Sequence, residues 1–364
     1  MLDLYREIKR ISPATHLSLL TGEHADADWG VEEVDAIFDE IHRVAPADFN
    51  HTALARVDGD LNFDVIDFQY HQAGALLAAS RRRWPEARLI YSPMESLLRG
   101  AVLALDGKAL LHGRGWRRFA SSIWQGLKEA RYIRQADRVV AVSIPDQLAM
   151  SWLREKNVFC CIPTCLSSLE FSASHAVHHM VPDVTPPTIV FVAYFGSQTN
   201  RDALRWYCQE VHPEVRLRMP AYRLLVVGRG QDEALRSVCS AEGVDFLGEV
   251  TSIGDALQVA NIGIAPALSG AGVRGKVHQY AAAALPCVAS RIACEGLEYV
   301  PGSSILLADD AGQFAQYCLR LLQDPAASHQ MGLAAQAICL QHYTWQTVHA
   351  AISDVYKLTN KLKQ

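Results

Sequence analysis

The stretch that decides the fold is Asn261–Lys276, with the sequence NIGIAPALSGAGVRGK. It opens with a short apolar run, which is typical of a strand buried on both faces of a sheet. A glycine-rich turn follows, and helical spacing begins near Arg274. A strand, a glycine turn and a helix in this order predict one repeating unit of a parallel α/β domain.

Similar apolar runs lie on both sides of this stretch. Six of them are predicted strands of one domain: Thr188–Val192, Arg223–Val227, Val244–Leu247, Asn261–Ala265, Pro286–Ala289 and Ser304–Leu307. Segments with helical spacing separate them. We therefore predict a doubly wound parallel domain over residues 188–344.

The N-terminal half alternates in the same way, less regularly. Its predicted strands are His16–Leu20, Phe63–Phe68, Arg88–Tyr91, Arg138–Val142 and Val158–Ile162. Its predicted helices are Val31–Val44, Gly74–Arg83, Trp116–Gln135 and Asp146–Glu155. A second α/β domain over residues 1–171 follows from this pattern.

The start of this domain is unusual, because the chain begins on a helical pattern at Leu2–Ile11 and not on a strand. We expect the first strand to be missing: the domain is trimmed, the true start lies upstream, or another chain supplies the edge. Residues 172–187 are rich in Ser, His and Pro, which predicts a linker. Residues 345–364 are a predicted C-terminal helix.

Composition narrows the class of protein. The chain has 364 residues, of which 50% are hydrophobic, and its net charge of −5 argues against a nucleic-acid partner. The nine cysteines are scattered without a CxxC pair, so we expect reduced thiols. No apolar run reaches the length of a membrane span, and the N-terminus does not resemble a secretory signal. These features favour a cytoplasmic protein.

The turn in Ser269–Lys276 has the chemistry of an anion site. Its three glycines allow a ligand to approach the backbone, and the start of the following helix presents free N–H groups. Arg274 and Lys276 add two cations, which suits a diphosphate. The alternative is a plain glycine turn with two solvated charges.

The same glycines also spell GxGxxG, with Glu295 twenty residues beyond Gly275. This pattern occurs in dinucleotide-binding domains, so an NAD-dependent oxidoreductase is an alternative. The dinucleotide turn follows the first strand of its domain, whereas this turn follows the fourth. A nucleoside diphosphate is therefore favoured.

Three further turns follow strands of the same domain. They contain Gly196 and Asn200, then Gly228, Arg229 and Gly230, and finally Val250. Because carboxyl ends of parallel strands meet at one edge of the sheet, these turns are expected to outline one ligand cleft.

The ordered set of motifs resembles the GT-B glycosyltransferases of family 4, the retaining "group 1" enzymes. The stretches that carry the resemblance are Phe191–Gly196, Leu225–Gly230, Val244–Val250, Ala260–Pro266, Gly270–Lys276, Leu285–Ser290 and Glu295–Leu297. The resemblance implies two Rossmann-like doubly wound domains facing across a cleft. It also implies that the C-terminal domain holds a nucleotide sugar, and that the final helix crosses back to the N-terminal, acceptor-side domain.

The family also implies roles for particular residues. Arg274 and Lys276 would bind the donor diphosphate, and Val250 would meet the nucleobase through its backbone. The other implied donor-binding residues are Gly196, Asn200, Gly228, Arg229, Gly230, Gly270, Gly272, Val273 and Gln279. Family members often carry two glutamates here, where this chain has Ala271 and Gln279. The amide of Gln279 can still hydrogen-bond a ribose, with less strength than a carboxylate.

The acceptor side is less regular. His71 follows the strand Phe63–Phe68, and Glu95 ends the segment Ser92–Glu95, where the family usually has His or Asp. We predict that these two residues face the acceptor, with His71 orienting it. The alternative is that His71 is purely structural.

The resulting expectation is a retaining glycosyltransferase that needs no metal or organic cofactor. It would transfer a sugar to a hydroxyl of a saccharide, lipid-linked or other acceptor in glycan or polysaccharide biosynthesis. The rival is a non-catalytic GT-B protein that binds a nucleotide or pairs with an active transferase as its partner chain. The altered carboxylate positions and the missing first strand support that rival.

Three other patterns in the sequence could bind a metal or a membrane. Asp58-Gly59-Asp60 spells a DxD metal motif within an acidic stretch, and His175, His178 and His179 lie in the linker; a metal role is not favoured for either. The basic, aromatic Trp116–Trp124 region could rest on the inner face of an anionic membrane. A helix that buries its aromatic side chains is the favoured alternative there.

Overall fold

The computed structural model describes residues 2–22, 34–57, 61–100, 115–166, 186–269 and 275–358. The chain divides into two compact units. Unit 1 comprises Met1–Pro163 and Val348–Gln364, and unit 2 comprises Thr164–Thr347. Of the predicted linker, only positions 186 and 187 fall within the described residues. Both units contain parallel sheets connected by helices, which confirms the predicted α/β class.

Unit 1 contains two parallel sheets. Its strands are β1 (Ser18–Gly22), β2 (Glu40–Val44), β3 (Val65–Gln69), β4 (Arg88–Ser92), β5 (Arg138–Ala141) and β6 (Phe159–Cys161). Strands β3 to β6 form a four-stranded sheet in chain order, and β1 and β2 form a separate pair. Its first helices are α1 (Leu2–Ile11), α2 (Tyr70–Ala73), α3 (Leu77–Arg83), α4 (Gly115–Gln135) and α5 (Ile144–Ser151).

The predicted helix Val31–Val44 is wrong. Its last five residues, Glu40–Val44, form β2, which pairs in parallel with β1. Apolar residues at Ile37, Ile41 and Val44 have helical spacing, and the run Glu40–Val44 does not alternate in polarity. The local pattern therefore favours a helix, and the pairing with β1, which is a tertiary interaction, overrides it.

A cavity of about 1240 Å³ lies within unit 1. It is lined by the edge strands of both sheets, β1 and β3, and by Tyr5 and Ile8 of α1. Within the described residues, β1 pairs only with β2, and β3 pairs only with β4. The two sheets therefore each present an unpaired edge to this cavity.

Unit 2 is a single six-stranded parallel sheet with helices. Its strands are β7 (Thr188–Val192), β8 (Arg223–Val227), β9 (Val244–Gly248), β10 (Ile262–Ala265), β11 (Cys287–Ser290) and β12 (Leu306–Ala308). Its helices are α6 (Gln198–Trp206), α7 (His212–Arg218), α8 (Glu233–Val238), α9 (Ile253–Gln258), α10 (Gly275–Ala282), α11 (Ala311–Gln323) and α12 (Pro325–His342).

The order of strands in unit 2 is β12-β11-β10-β7-β8-β9. The chain moves outward from β7 in one direction and then outward from β10 in the other. Ligands of such sheets bind beyond the carboxyl ends of the strands, at the point where the order reverses. That point lies between β7 and β10.

The core of unit 2 covers both faces of this sheet. Ile189 and Phe191 of β7 belong to one hydrophobic cluster, whereas Val190 and Val192 belong to another. All five residues of β7 are buried. This double burial explains why the strand is a continuous apolar run and does not alternate in polarity.

The final helix, α13 (Trp345–Val355), belongs to unit 1 from Val348 onward. Arg88 of β4 donates hydrogen bonds of 2.9 Å to the carbonyl oxygens of Asp354 and Val355. Arg138 of β5 forms a 2.7 Å ion pair with the Asp354 carboxylate. The end of α13 is therefore fastened to the four-stranded sheet.

The remaining helical segments are short. Turns of 3₁₀ helix lie at Pro46–Asp48, His51–Arg56, Gly74–Leu76, Lys156–Val158 and Arg291–Cys294, and a π-helical turn lies at Tyr207–Val211. In the part of the chain that the structure describes, no helix combines the length and hydrophobicity needed to span a membrane.

Candidate functional site

The turns after β7 and β8 are joined through their backbones. The amide of Ala193 donates to the Val227 carbonyl over 2.9 Å, and that of Phe195 donates to the Arg229 carbonyl over 2.8 Å. These hydrogen bonds continue the β-ladder past the ends of both strands. The two turns therefore act as one surface at the carboxyl edge of the sheet.

Two glycines make this close approach possible. Gly228 has φ +129°, and a Cβ there would lie 1.9 Å from the Ala193 carbonyl oxygen. Gly230 has φ +85°, and its Cβ would lie 2.6 Å from the Gly196 amide nitrogen. Both neighbours are backbone atoms that cannot rotate away, so neither position accepts a side chain.

The turn after β9 joins the same edge. The amide of Gly228 donates a 2.7 Å hydrogen bond to the Gly248 carbonyl. Val250 follows two residues later and packs against a core cluster of unit 2. The structure thus brings together the three turns that contain Gly196, Gly228 and Val250.

Lys276 reaches this edge from the first turn of α10. Its ammonium Nζ lies 3.0 Å from Oδ1 of Asn200 and 4.5 Å from the ring centroid of Phe191. Asn200 is held in turn, because its Nδ2 donates over 2.8 Å to the Tyr194 carbonyl. A cation is therefore fixed beside the turn after β7, close to the point where the strand order reverses.

Tyr194 is an aromatic residue of this edge that the sequence analysis did not single out. Its ring is half exposed and lies 5.2 Å from the guanidinium carbon of Arg229. A Cβ on Gly196 would lie 2.3 Å from the Tyr194 hydroxyl oxygen, so the glycine makes room for the ring. An aromatic residue two positions after a buried strand and two positions before a glycine was an available signal.

Of the predicted donor loop Ser269–Lys276, only Ser269, Gly275 and Lys276 fall within the described residues. Gly270, Gly272, Val273 and Arg274 lie outside the described residues. The described chain ends before them at Ser269 and resumes at Gly275, the first residue of α10. Gln279 lies on α10 and is partly buried.

α10 is anchored by a buried histidine. His278 is 1% exposed, and its Nδ1 lies 2.9 Å from the Tyr299 hydroxyl. Its ring centroid lies 4.0 Å from that of Tyr343. Burial lowers the pKa of His278 to about 3, so the imidazole is neutral at physiological pH. Lys276 therefore lies on a helix whose other side packs, through His278, against the rings of Tyr299 and Tyr343.

In unit 1, the predicted acceptor residues follow two neighbouring strands. Gln69 at the end of β3 is the register partner of Ser92 at the end of β4. His71 lies in α2 two residues after Gln69, and Glu95 is exposed three residues after Ser92. The structure therefore places both predicted residues beyond the same pair of strand ends.

Asp67 is a central polar residue of unit 1 that the sequence analysis missed. Its carboxylate accepts hydrogen bonds from the Tyr5 hydroxyl at 3.1 Å, the Gln69 amide and the Ser92 hydroxyl at 2.7 Å, and the Tyr356 hydroxyl at 2.5 Å. Burial raises the pKa of Asp67 despite these donors. An acid within the apolar strand Val65–Gln69 was a visible signal in the sequence.

A second buried acid supports the segment after Glu95. Glu129 of α4 accepts from the Leu98 amide at 2.8 Å and from the Ser96 hydroxyl at 3.1 Å. It is fully buried, and burial raises its pKa to about 7. The segment that carries Glu95 is therefore held by a carboxyl group that titrates near neutral pH.

A third acid completes this arrangement. Asp146 of α5 forms a buried ion pair of 3.2 Å with Arg99 and accepts a 2.6 Å hydrogen bond from the Ser143 hydroxyl. Charged groups of this kind are tolerated in a core only when they are paired and hydrogen-bonded. Side chains, more than backbone, thus shape this edge of unit 1.

In the described part of the chain, no three or more His, Cys, Asp or Glu side chains form a group that could hold a metal ion. Asp58-Gly59-Asp60 and the three linker histidines, His175, His178 and His179, lie outside the described residues.

Residues 186–324 match the family model described as "Glycosyl transferases group 1". This region carries all three joined turns and Lys276. Most of unit 2 is therefore similar to a group 1 glycosyltransferase domain.

Solved structures resemble nearly the whole chain. HepE of Anabaena, in complex with UDP and glucose, aligns at 13% identity and a TM-score of 0.69, covering 98% of this chain and 96% of that protein. Sucrose-phosphate synthase from Thermosynechococcus elongatus aligns at 13% identity and a TM-score of 0.68, covering 94% and 98%. At such identities the likeness establishes the fold, and it confirms the predicted GT-B class.

A sequence relative is a 44.6 kDa protein of Klebsiella pneumoniae from the cps region. It is 26% identical over 172 residues, which cover 45% of this chain and 44% of that protein. The alignment therefore spans less than half of the length of this curated relative.

Proposed function

We propose that this protein is a glycosyltransferase that moves a sugar from a nucleoside-diphosphate donor to an acceptor hydroxyl. One observation carries the proposal: Lys276, held by Asn200, stands beside the three joined turns at the edge of the unit 2 sheet. Backbone amides, a helix start and a fixed cation are the donors that a diphosphate requires.

The donor residues have separate roles in this proposal. Lys276 and Arg274 bind the diphosphate, and the glycine turns allow it to approach the backbone. Val250 meets the base through its backbone, and Gln279 binds the ribose hydroxyls. Because HepE has been solved with UDP and with UDP-glucose, uridine diphosphate sugars are the first donors to test.

The reaction that fits this site retains the configuration at the anomeric carbon. The acceptor oxygen forms its bond to that carbon on the face from which the diphosphate leaves. The bond from carbon to phosphate oxygen breaks, and the acceptor proton passes to the leaving phosphate. Arg274 and Lys276 stabilise the negative charge of the leaving group. His71 orients the acceptor and forms no covalent bond.

The biological role that we propose is the assembly of a glycan or polysaccharide. The Klebsiella relative, described as a protein of the cps region, supports this setting. The acceptor is then a hydroxyl of a growing saccharide or of a lipid-linked sugar.

Calorimetric titration with UDP, GDP, dTDP, ADP, CMP and NAD tests the donor site. One nucleoside diphosphate should bind selectively, and Arg274→Ala or Lys276→Ala should weaken that binding by about 1.5–3 kcal/mol, the scale of a charged hydrogen bond. Arg218→Ala is the matched control, because Arg218 is an exposed cation of unit 2 that pairs with Glu214. Binding of NAD alone, or unchanged affinity in both variants, would remove the proposed donor site.

Turnover is tested separately. Incubation with the matching nucleotide sugar and a saccharide acceptor should release the free diphosphate, and NMR of the product should show the donor's anomeric configuration. His71→Ala should lower transfer while it spares donor binding; full transfer by this variant would end the proposed role of His71.

A non-catalytic nucleotide-binding protein is the second candidate. It is favoured by Ala271 and Gln279, which stand where related enzymes often carry glutamates. Selective binding of a diphosphate with no transfer to any acceptor would support it, and a transferred sugar would exclude it.

A further inference from the structure

Large exposed apolar side chains of unit 1 are concentrated on two helices. Tyr70 is one of the seven among the described residues, and the other six lie on α4, on α5 or, in the case of Trp152, directly after the end of α5. They are Ile123 at 38%, Trp124 at 60%, Leu127 at 62%, Ile144 at 48%, Leu148 at 64% and Trp152 at 71% exposure. We call these six residues the α4–α5 face.

The exposed residues of α5 form one stripe together with Trp152, the residue that caps its C-terminal end. Ile144, Leu148 and Trp152 are spaced four apart, so they lie on the same side of the helix. Asp146 and Met150 are buried on the opposite side. A helix in a soluble domain normally turns its apolar side inward, whereas α5 carries an apolar stripe outward as well.

α4 and α5 are neighbours on one side of the sheet. Each connects adjacent parallel strands in the same direction, and right-handed connections then place both helices on one face. Arg154, just after α5, donates to the carbonyl oxygens of Ile133 and Ala136 at the end of α4. Glu129 of α4 and Asp146 of α5 also reach the same residue, Ser96. The exposed sides of the two helices therefore belong to one surface.

The charges around this surface are mainly positive. α4 carries five basic residues and one acid, and that acid, Glu129, is fully buried. Lys128, Arg131 and Arg134 are exposed, and Lys128 lies 5.2 Å from the Trp124 ring centroid. After α5 the exposed charges are Arg154, Glu155 and Lys156.

Exposed apolar side chains in unit 2 are distributed differently. They are spread over many elements, for example Leu217 on α7 and Val238 on α8, and the two on α12, Leu333 and Leu340, are seven residues apart and only 38% and 36% exposed. Single exposed apolar residues are normal on a protein surface, whereas a cluster of six marks an interaction site.

We propose that the α4–α5 face binds the surface of an anionic phospholipid bilayer. Tryptophan rings and aliphatic side chains enter the interfacial layer, and the flanking lysines and arginines pair with lipid phosphates. The sequence analysis favoured burial of the aromatic side chains of Trp116–Trp124, but Trp124 is exposed, and α5 extends the surface beyond that region. The proposal does not depend on the sugar-transfer reaction.

Vesicle flotation with the whole chain tests it. The protein should float with vesicles of phosphatidylglycerol and phosphatidylcholine in equal parts, and not with phosphatidylcholine alone. Leu148→Gln/Trp152→Gln should reduce the fraction bound at least about ten-fold, because two large apolar groups no longer enter the interface. Leu217→Gln, which changes a still more exposed leucine of unit 2, should bind as the wild type does.

A second variant tests the charges. Lys128→Glu/Arg131→Glu should weaken binding to anionic vesicles, and salt should weaken wild-type binding in the same way. Circular dichroism and the thermal midpoint of each variant establish that it is folded. The proposal is overturned if the wild type does not bind anionic vesicles at low salt, or if folded Leu148→Gln/Trp152→Gln binds them undiminished.

If a second copy of the chain, and not a bilayer, covers the α4–α5 face, the experiments give a different result. Light scattering during size-exclusion chromatography would show a mass of two chains if a second copy covers the face, and Leu148→Gln/Trp152→Gln would then return the mass to one chain. That result, with no vesicle binding, would replace the membrane by a homodimer.

Discussion

The two units differ in the groups that hold together the carboxyl edges of their sheets. In unit 2 the edge is made of backbone: three turns are joined by hydrogen bonds between amides and carbonyls, and Gly228 and Gly230 permit the approach. In unit 1 the edge is made of side chains, with Asp67, Glu129 and Asp146 holding the segments around it. The stability of the edge in unit 2 therefore depends on how closely the backbones of its turns approach. The stability of the edge in unit 1 depends on the protonation of its carboxyl groups.

The buried titratable groups of the two units also respond to pH in opposite directions. Glu129 in unit 1 has a raised pKa, and His278 in unit 2 has a lowered one. Both shifts arise from burial, which disfavours the charged form. Unit 1 should therefore lose stability as pH rises, and unit 2 should lose it as pH falls.

The largest expected effect comes from a methyl group in the backbone edge. Gly228→Ala should destabilise unit 2 by about 4 kcal/mol or more, because the new Cβ would overlap a fixed carbonyl oxygen. Hydrogen exchange of β7 and β8 peptides in increasing denaturant measures this loss.

Gly302→Ala is the matched control for Gly228→Ala. Gly302 also has positive φ, +82°, but no atom lies within 4 Å of its built Cβ. It should cost only about 1 kcal/mol from backbone strain. Equal losses for the two variants would show that φ, and not the contact between turns, limits the backbone edge.

The next effect belongs to the side-chain edge. The pKa of Glu129 is raised from 4.5 to about 7, so its contribution to stability is full below pH 4.5 and is lost as pH rises through 7. Glu129→Gln should remove this loss, which amounts to about 3 kcal/mol between roughly pH 5 and pH 8.

Hydrogen exchange of β4 and β5 peptides in wild type and Glu129→Gln measures the difference at each pH. The gap between the two proteins should widen steadily above about pH 5 and level off above about pH 7. A gap that is constant with pH would mean that Glu129 does not titrate in this range.

His278 should give the opposite trend in unit 2. Its pKa is lowered from 6.5 to about 3, so the stability it contributes is present above 6.5 and is lost as pH falls. Between roughly pH 7 and pH 5 the loss should be about 2 kcal/mol.

His278→Gln should flatten this pH dependence, whatever its own baseline stability. Hydrogen exchange of α10 peptides from about pH 7 to pH 5 provides the measurement. If the slope is the same in both proteins, another group carries the acid sensitivity of unit 2.

The smallest effect concerns the fixed cation. Asn200→Ala removes the 3.0 Å contact to Lys276 and the 2.8 Å contact to the Tyr194 carbonyl. Nucleoside-diphosphate binding should weaken by about 1 kcal/mol, because the ammonium loses the group that positions it. Calorimetry measures the change.

Gln198→Ala serves as control for Asn200→Ala. It lies on the same helix, and its side chain pairs with Asp202 at 2.7 Å. Its affinity for the diphosphate should match the wild type, and an equal loss in both variants would assign the effect to α6 as a whole.

Much of unit 2 could be predicted from its residues because its signals are local. Continuous apolar runs such as Thr188–Val192 indicated strands buried on both faces, and the glycines at 228 and 230 indicated turns that a side chain would block. The contact between Lys276 and Asn200 spans 76 residues of sequence, so no local pattern could show it.

The sequence by itself determined the fold class, the six strands of unit 2 and the glycine turns, because these follow from periodicity and backbone sterics. Only the tertiary structure decided that Glu40–Val44 is a strand, that Asp67 collects four hydrogen-bond donors, and that Trp124 and Trp152 face outward. Each of these depends on partners distant in the chain. Tertiary packing decides which partner a segment contacts, and the spacing of residues within that segment does not predict the partner.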